Sequence, residues 1–180
     1  YIGFRPKGST DVMVISGSNV GIGTTSPSTM LHISDNEPVI TLEDENDGFD
    51  FSIGVNGHGF VIRDVDDSHA YRLVIDENGL VGIGTTGPDS PLHIHKASAG
   101  SIASNANAVL TLEDDGTTVL QFLSPNDQEQ QIRFGDPNDD GAGFIAYAHS
   151  TNKMSFGTAG PTKMAIDSSG YIIINGQTDN

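Results

Sequence analysis

Apolar and polar residues alternate with a period of two along many short stretches of the chain. Because successive side chains of a β-strand point to opposite faces, this period predicts strands rather than helices. No stretch sustains a helical period, so the sequence predicts an all-β fold. The alternation predicts strands at residues 39–44, 50–55, 59–65, 71–76, 80–85, 109–114, 118–123, 130–135, 143–148, 153–157, 162–167 and 171–175.

Two segments of the chain are near copies of each other. Residues 19–33 read NVGIGTTSPSTMLHI, and residues 80–94 read LVGIGTTGPDSPLHI. Residues 39–44 return as 109–114 and residues 73–79 as 164–170, while residues 171–176 hold a degenerate third copy of the glycine motif. A long fixed period is typical of an array of small units that cannot bury a core alone.

The repeats predict tandem β beads joined by glycine-rich connectors. We expect the tail of a preceding repeat and its connector at 1–33, a first full bead with its connector at 34–94, a linker or ordered surface strap at 95–108, and a second, enlarged bead with a degenerate connector at 109–180. The turn-forming pairs Asn56-Gly57 and Asn78-Gly79 fit tight hairpins within the first bead.

Glycine alternates with branched apolar residues in each connector. Glycine inside a strand usually marks a bend or the close approach of another backbone. Three copies of such a strand could meet around a threefold axis, with valine and isoleucine forming a narrow core, until the following proline ends the strand. The predicted connector residues are Val20, Gly21, Ile22, Gly23, Val81, Gly82, Ile83 and Gly84.

The second connector also matches the G-x-G-x-x-G spacing of a dinucleotide-binding loop. That loop must open a helix, whose N-terminus binds the pyrophosphate. Here Pro88 and Pro91 follow, Leu92–His95 alternates like a strand, and no acidic residue lies in 101–108. We therefore expect no nucleotide cofactor.

Composition and charge narrow the choice of partners. The 180 residues are 36% hydrophobic, and 24 acidic residues against 8 basic ones give a net charge of −16. Such a surface repels phosphate backbones, so we expect no nucleic-acid partner. No segment is apolar for long enough to insert into a membrane. With no cysteine, a small bead needs another partner surface, which predicts oligomerisation.

The connector motif, followed by Leu-His-Ile, resembles a repeat of bacteriophage tail fibres and related appendage proteins. The resemblance extends to Thr41–Asp44, Arg63-Asp64 and Arg72–Asp76, and it spans most of residues 10–115. It implies a homotrimeric fibre of intertwined chains, located extracellularly on the virion and bound to neighbouring tail proteins. Such proteins often end in an intramolecular chaperone of the endosialidase type, which we do not expect within these 180 residues.

The resemblance implies a structural segment that supports or forms the host-receptor-binding region. Similar repeats occur in large bacterial surface proteins, so a bacterial surface adhesin or extracellular filament subunit is an alternative. A carbohydrate-depolymerising tailspike is a second alternative. Glycosidase chemistry needs two carboxyl groups across a cleft, whereas Glu43 and Asp44, or Asp66 and Asp67, are merely adjacent. We expect no enzyme.

Two motifs could bind a metal ion. Asp136, Asn138 and Asp140 match the opening D-x-[DN]-x-[DN]-G of a calcium loop, but Tyr147 occupies the position of its closing glutamate, so an acidic hairpin turn is the alternative. His93-Ile94-His95 places two imidazoles on one strand face, where three chains could surround a metal on the axis. The upstream copy has Ser34 in place of the second histidine, which favours an exposed polar alternation instead.

Receptor-binding residues are expected in the loops of the second bead, since loops tolerate variation on a rigid scaffold. Polar side chains there suit a host surface glycan or protein, and an aromatic ring could stack on a sugar. The predicted receptor-binding residues are Asn126, Asp127, Tyr147 and Asn152.

Overall fold

The computed structural model describes residues 2–4, 12–46 and 48–175. These residues form sixteen strands and no helix, which confirms the all-β prediction. The strands are β1 (Ile2–Phe4), β2 (Met13–Ser16), β3 (Asn19–Ile22), β4 (Leu31–Ile33), β5 (Val39–Leu42), β6 (Phe51–Asn56), β7 (Gly59–Asp64), β8 (Ala70–Ile75), β9 (Val81–Ile83), β10 (Leu92–His95), β11 (Leu110–Glu113), β12 (Glu129–Phe134), β13 (Gly143–Ala148), β14 (Lys153–Thr158), β15 (Thr162–Ile166) and β16 (Ile172–Ile174).

The chain divides into two compact units, residues 1–118 and 119–180. The first unit contains sheet A, in the order β1-β2-β3-β4, and the seven-stranded sheet B, in the order β11-β10-β9-β8-β7-β6-β5. The second unit contains sheet C, in the order β12-β13-β14-β15-β16. Most neighbouring strands are antiparallel and are joined by short turns, as alternating sequences separated by glycine and asparagine predict.

The two copies of the glycine motif fold in the same way. In each copy the Val-Gly-Ile strand pairs in parallel with the Leu-His-Ile strand that follows it, so β3 pairs with β4 and β9 pairs with β10. The connecting segment contains no helix, although parallel crossovers usually do. Both proline-containing connections therefore fold back over the sheet as a compact loop.

This loop explains why the connector needs glycine. A Cβ on Gly21 or Gly82 would lie 2.5 or 2.7 Å from the carbonyl oxygen of Thr24 or Thr85, respectively, in the loop that covers it. Gly84 has a φ of +76°, and a Cβ there would collide with the carbonyl oxygen of His95. The close approach that the sequence predicts thus occurs within one chain, independently of any threefold axis.

The degenerate third copy compensates for its lost glycine. Val14 pairs with Gly21 and Val74 pairs with Gly82, whereas in sheet C a smaller residue, Ala165, pairs with the larger Ile173. In sheets A and B the second strand of the pair carries the small residue, whereas in sheet C the first strand carries it. The predicted motif ends at Gly176, which lies outside the described residues.

One strand prediction is wrong. Residues 118–123 alternate enough to suggest a strand, but they are irregular in the structure and pair with no described strand. Val119 is 69% exposed and Leu123 is 83% exposed, so neither packs on a sheet. The preceding strand β11 is already bonded to β10 and extends sheet B, although the sequence boundary assigns it to the second bead.

The interior is very small. Among the described residues, only five hydrophobic residues are buried, Val14, Val61, Val74, Ala146 and Ala165, and only the three valines are fully buried. In sheet B the register aligns Val61 and Val74 with Gly54, Gly82 and His93 in one row, on the face that the loops cover. On the opposite face, residues such as Ile40 and Phe60 are exposed.

We expect Gly82→Ala to lower the free energy of unfolding by about 1–3 kcal/mol, the usual cost of forcing an extra methyl into packed structure. Gly87→Ser in the same loop is the control, since a Cβ at Gly87 meets nothing within 4 Å and the upstream copy has Ser26 there. Its change should stay within about 0.5 kcal/mol. Urea denaturation followed by circular dichroism measures both, and equal effects would contradict the steric explanation.

Candidate functional site

The uncovered face of sheet B is built from aliphatic residues in register. Its central row takes one isoleucine or leucine from each of the seven strands: Ile40, Ile53, Ile62, Leu73, Ile83, Ile94 and Leu112. A flanking row takes Val55, Phe60, Ile75, Val81, Leu92 and Leu110. We call these two rows the apolar face of sheet B.

The other sheets show the same arrangement. In sheet A the register aligns Ile2, Ile15, Val20 and Leu31. In sheet C it aligns Ile132, Ile145, Phe156, Met164 and Ile174. Each sheet therefore has one apolar face, as period-two alternation dictates.

Much of this apolar surface is exposed in the single chain. On sheet B, Ile40 is 44% exposed, Val55 50% and Phe60 40%. Leu31 on sheet A is 54% exposed and Ile132 on sheet C is 43% exposed. Part of each apolar face is therefore open to solvent.

The covered face of sheet B contains a polar cluster around His93, which is buried. Its Nε2 lies 2.9 Å from Glu113 Oε2 on the neighbouring strand β11. Its Nδ1 lies 3.1 Å from Asp89 Oδ1 in the connector loop, an ion-pair distance at which the angle does not satisfy a hydrogen bond. The expectation of an exposed polar alternation is therefore wrong for His93, because loop and strap cover it.

The strap, residues 97–108, is fastened to this cluster. The backbone N–H of Ala99 donates to Glu113 Oε1 at 2.8 Å. Ser104 donates to Asp89 through both its backbone N–H, at 2.9 Å, and its hydroxyl, at 2.5 Å. We call Asp89, His93, Ser104 and Glu113, with the Ala99 N–H, the clasp. It holds the strap, the connector loop and β11 together.

The contacts of the clasp lower the pKa values of its two carboxyl groups. Hydrogen bonds from Ser104 lower the pKa of Asp89 below its ordinary value. The Ala99 N–H, followed by the contact with His93, lowers the pKa of Glu113 although burial opposes the change. Both groups accept hydrogen bonds best as carboxylates, which is the physical reason for the direction.

The clasp does not have the geometry of a hydrolytic triad. A catalytic serine must share a hydrogen bond with the histidine that takes its proton. Here the Ser104 hydroxyl bonds to Asp89 and lies 2.6 Å from the Thr111 hydroxyl. The arrangement suits fastening rather than nucleophilic attack. Sequence reasoning did not identify the clasp, although the replacement of Ser28 by Asp89 between the copies was a signal.

The predicted calcium loop forms the turn between β12 and β13. Asp136 Oδ1 accepts the backbone N–H groups of Asn138, at 2.8 Å, and Asp139, at 3.1 Å. Asp140 is exposed and lies 3.9 Å from an Arg133 nitrogen. Within the described residues, no group of three or more histidine, aspartate or glutamate side chains is placed to hold a metal ion. Calcium binding stays a prediction.

The structure brings the predicted receptor-binding residues to one end of sheet C. Asn126 and Asp127 lie in the turn that precedes β12, and Asn152 lies in the turn between β13 and β14. The two turns meet where the His149 N–H donates to the Gln128 carbonyl. Tyr147 is half-buried and donates to Asn152 Oδ1 at 3.1 Å. The Asp136 turn lies at the other end of the same sheet.

Segments that carry the tail-fibre resemblance also have structural roles. Arg72 contacts Asp64 and Asp67, each at 2.7 Å, across the β7–β8 turn.

Comparison with protein-family models gives no match, and comparison with curated proteins gives none either. Among the residues that the structure describes, no helix is long and apolar enough to cross a membrane.

We expect acid to loosen the clasp. The pKa values of Asp89 and Glu113 are lower in the folded chain, so these groups stabilise it above the ordinary carboxyl pKa, and the stabilisation is lost as the pH falls through the lowered values. Glu113→Gln should therefore lower the Tm at pH 7 by several degrees and flatten its decline below about pH 4.5.

Thermal melts followed by circular dichroism between pH 7 and pH 2.5 measure this effect. The matched control is Glu77→Gln, in an exposed hairpin turn, which should melt like the original chain at every pH. A Glu113→Gln profile parallel to that of the original chain would contradict the role of the clasp.

Proposed function

We propose that this chain is a structural segment of a homotrimeric fibre, a phage tail fibre, that supports or forms the host-receptor-binding region. The supporting observation is the apolar face of each sheet. A chain with five buried hydrophobic residues among those described, and with a mainly aliphatic, partly exposed face on each sheet, needs a partner that covers those faces. A further copy of the chain supplies a surface of the same chemistry.

The charge distribution favours this assignment. The net charge of −16 opposes association of identical chains. The two rows of the apolar face contain only uncharged side chains, so the hydrophobic contribution of that face must outweigh the repulsion. Charged residues outside the apolar face keep the assembled fibre soluble.

The mechanical role follows from how the sheets are held. Backbone ladders and loop-covered rows fix each sheet, while apolar faces join the copies. A fibre of this kind holds a binding tip away from the virion, a role that needs no catalytic centre. Its partners are further copies of itself, the neighbouring tail proteins and a host surface molecule, and its place is extracellular, on the virion.

Receptor binding belongs at the end of sheet C where Asn126, Asp127 and Asn152 are exposed side by side. These side chains offer amide and carboxylate groups suited to sugar hydroxyls. Tyr147 positions Asn152 through its hydroxyl, so the receptor contact rests on the polar turns.

We expect the purified chain to have three times its 18.9 kDa mass in solution, measured by light scattering with calcium and again with a chelator. Phe60→Glu places a charge in the apolar face and should shift the protein to monomer. Thr117→Glu, in an exposed loop, adds the same charge and should leave the trimer intact.

A monomer for the original chain under both conditions would contradict the fibre. A trimer that dissociates only with chelator would assign a structural calcium ion to the Asp136 turn. A trimer in both conditions would show that the trimer forms without calcium, as association through the apolar face predicts.

We also expect Asn126→Ala combined with Asn152→Ala to reduce binding of the trimer to host cells at least tenfold, while its mass is unchanged. Asp139→Ala, at the opposite end of sheet C, is the control and should bind normally. Binding of labelled protein to cells of a susceptible strain measures both. Equal binding by all three proteins would place the receptor contact elsewhere.

A further inference from the structure

Two consecutive strands, β4 and β5, leave open edges that their repeats close. β4 is the edge of sheet A and β5 is the edge of sheet B. Their repeats are β10 and β11, which pair with each other in parallel, Leu92 opposite Leu110 and His93 opposite Thr111. The same sequence pattern is thus paired in one copy and unpaired in the other.

The length of the connection explains the difference. β10 and β11 are joined by residues 96–109, which include the strap, whereas β4 and β5 are joined only by residues 34–38. A parallel pairing needs a crossover that returns the chain to the start of the next strand, and the two glycine-motif crossovers, at residues 23–30 and 84–91, use eight residues for it. The five residues after β4 are too few, so these two strands cannot pair within one chain as their repeats do.

Both open strands have surfaces that are costly to leave in water. Leu31 is 54% exposed and Leu42 is 57% exposed. A groove of about 200 Å³ lies beside them, lined mainly by Ile33, Val39, Ile40 and Phe60. An exposed, apolar edge strand is a template for pairing with another chain.

The side chains needed for the pairing are in place and lack the contacts that their repeats make. His32 Nδ1 accepts a hydrogen bond from the backbone N–H of Ser28 at 3.3 Å. Ser28 is the repeat equivalent of Asp89, which lies beside His93. Within the described residues no hydrogen bond or ion pair engages His32 Nε2 or the Glu43 carboxylate. In the repeat, the equivalent atoms of His93 and Glu113 lie 2.9 Å apart.

We propose that β4 of one chain pairs in parallel with β5 of a second copy, with Leu31 opposite Ile40, His32 opposite Thr41 and Ile33 opposite Leu42. His32 of one chain then contacts Glu43 of the next. The central apolar row of sheet A continues into that of sheet B across the junction. This inference rests on the proposed self-assembly and specifies its contact.

The contact joins different surfaces of identical chains, β4 on one and β5 on the next. Such head-to-tail contacts close into a ring when the rotation permits, and three copies satisfy both open edges of every chain. The short connection between β4 and β5 forces each of these strands to pair with another chain. The long connection that contains the strap lets β10 and β11 pair within one chain.

Cysteine cross-linking tests the pairing, because the chain contains no cysteine of its own. Chains carrying His32→Cys and chains carrying Thr41→Cys are refolded together in equal amounts and treated with a short bifunctional thiol reagent. We expect a covalent dimer of one chain of each kind on a denaturing gel, and none from either variant alone. The double variant should give covalent trimers.

The matched control is His93→Cys with Thr111→Cys in one chain, which should cross-link without any increase in mass. A light-scattering trimer whose His32 and Thr41 cysteines fail to link, or link within one chain, would overturn the pairing and leave the trimer intact. A monomer would overturn both proposals.

A second measurement avoids the loss of His32. Glu43→Gln should raise the concentration at which the trimer dissociates about tenfold, since it weakens a charge-assisted contact between chains. Glu77→Gln removes a carboxylate from an exposed hairpin turn, outside the clasp and the proposed contact, and should leave that concentration nearly unchanged. The reverse order of effects would contradict the assignment.

Discussion

The structure depends on one constraint: each sheet has an apolar face, and a single chain leaves much of it exposed. Backbone hydrogen bonds define the three sheets, and proline loops cover one face of sheets A and B, while the apolar rows on the opposite faces stay partly exposed. Burying such rows is a large favourable contribution for a small, disulfide-free chain. Under the proposed self-assembly, stability and assembly are one property, as they are in obligate oligomers.

The glycine connector and the clasp serve this constraint from the covered side. Gly82 and Gly84 let the proline loop lie flat on its own sheet, so that Val74 is buried without a second layer. Asp89, Glu113 and His93 then fix the loop, the strap and β11. Because the covered face is closed by local contacts, the opposite face is left as a flat surface for association.

The sequence predicted the fold class, the hairpins and the repeats because period-two alternation and turn residues are local signals. The strand predicted at residues 118–123 is absent because no neighbouring strand forms hydrogen bonds with that segment. The exposure predicted for His93 is wrong because no local sequence pattern shows that the loop and the strap will bury it. The clasp joins residues from Asp89 to Glu113, and only the folded register brings them together. The parallel pairing after each glycine motif was likewise invisible, since strand direction is a tertiary property.

The central claim is that copies of this chain bury the apolar faces against one another. Carbene footprinting of the assembled protein, read by mass spectrometry of its peptides, tests this claim most directly. Association through these faces should protect Ile40, Phe60 and Ile83 from labelling, well below the level that their exposure in a single chain would give. Ile102, 75% exposed in the strap, should be labelled fully. Labelling of all four in proportion to their exposure in the single chain would contradict it.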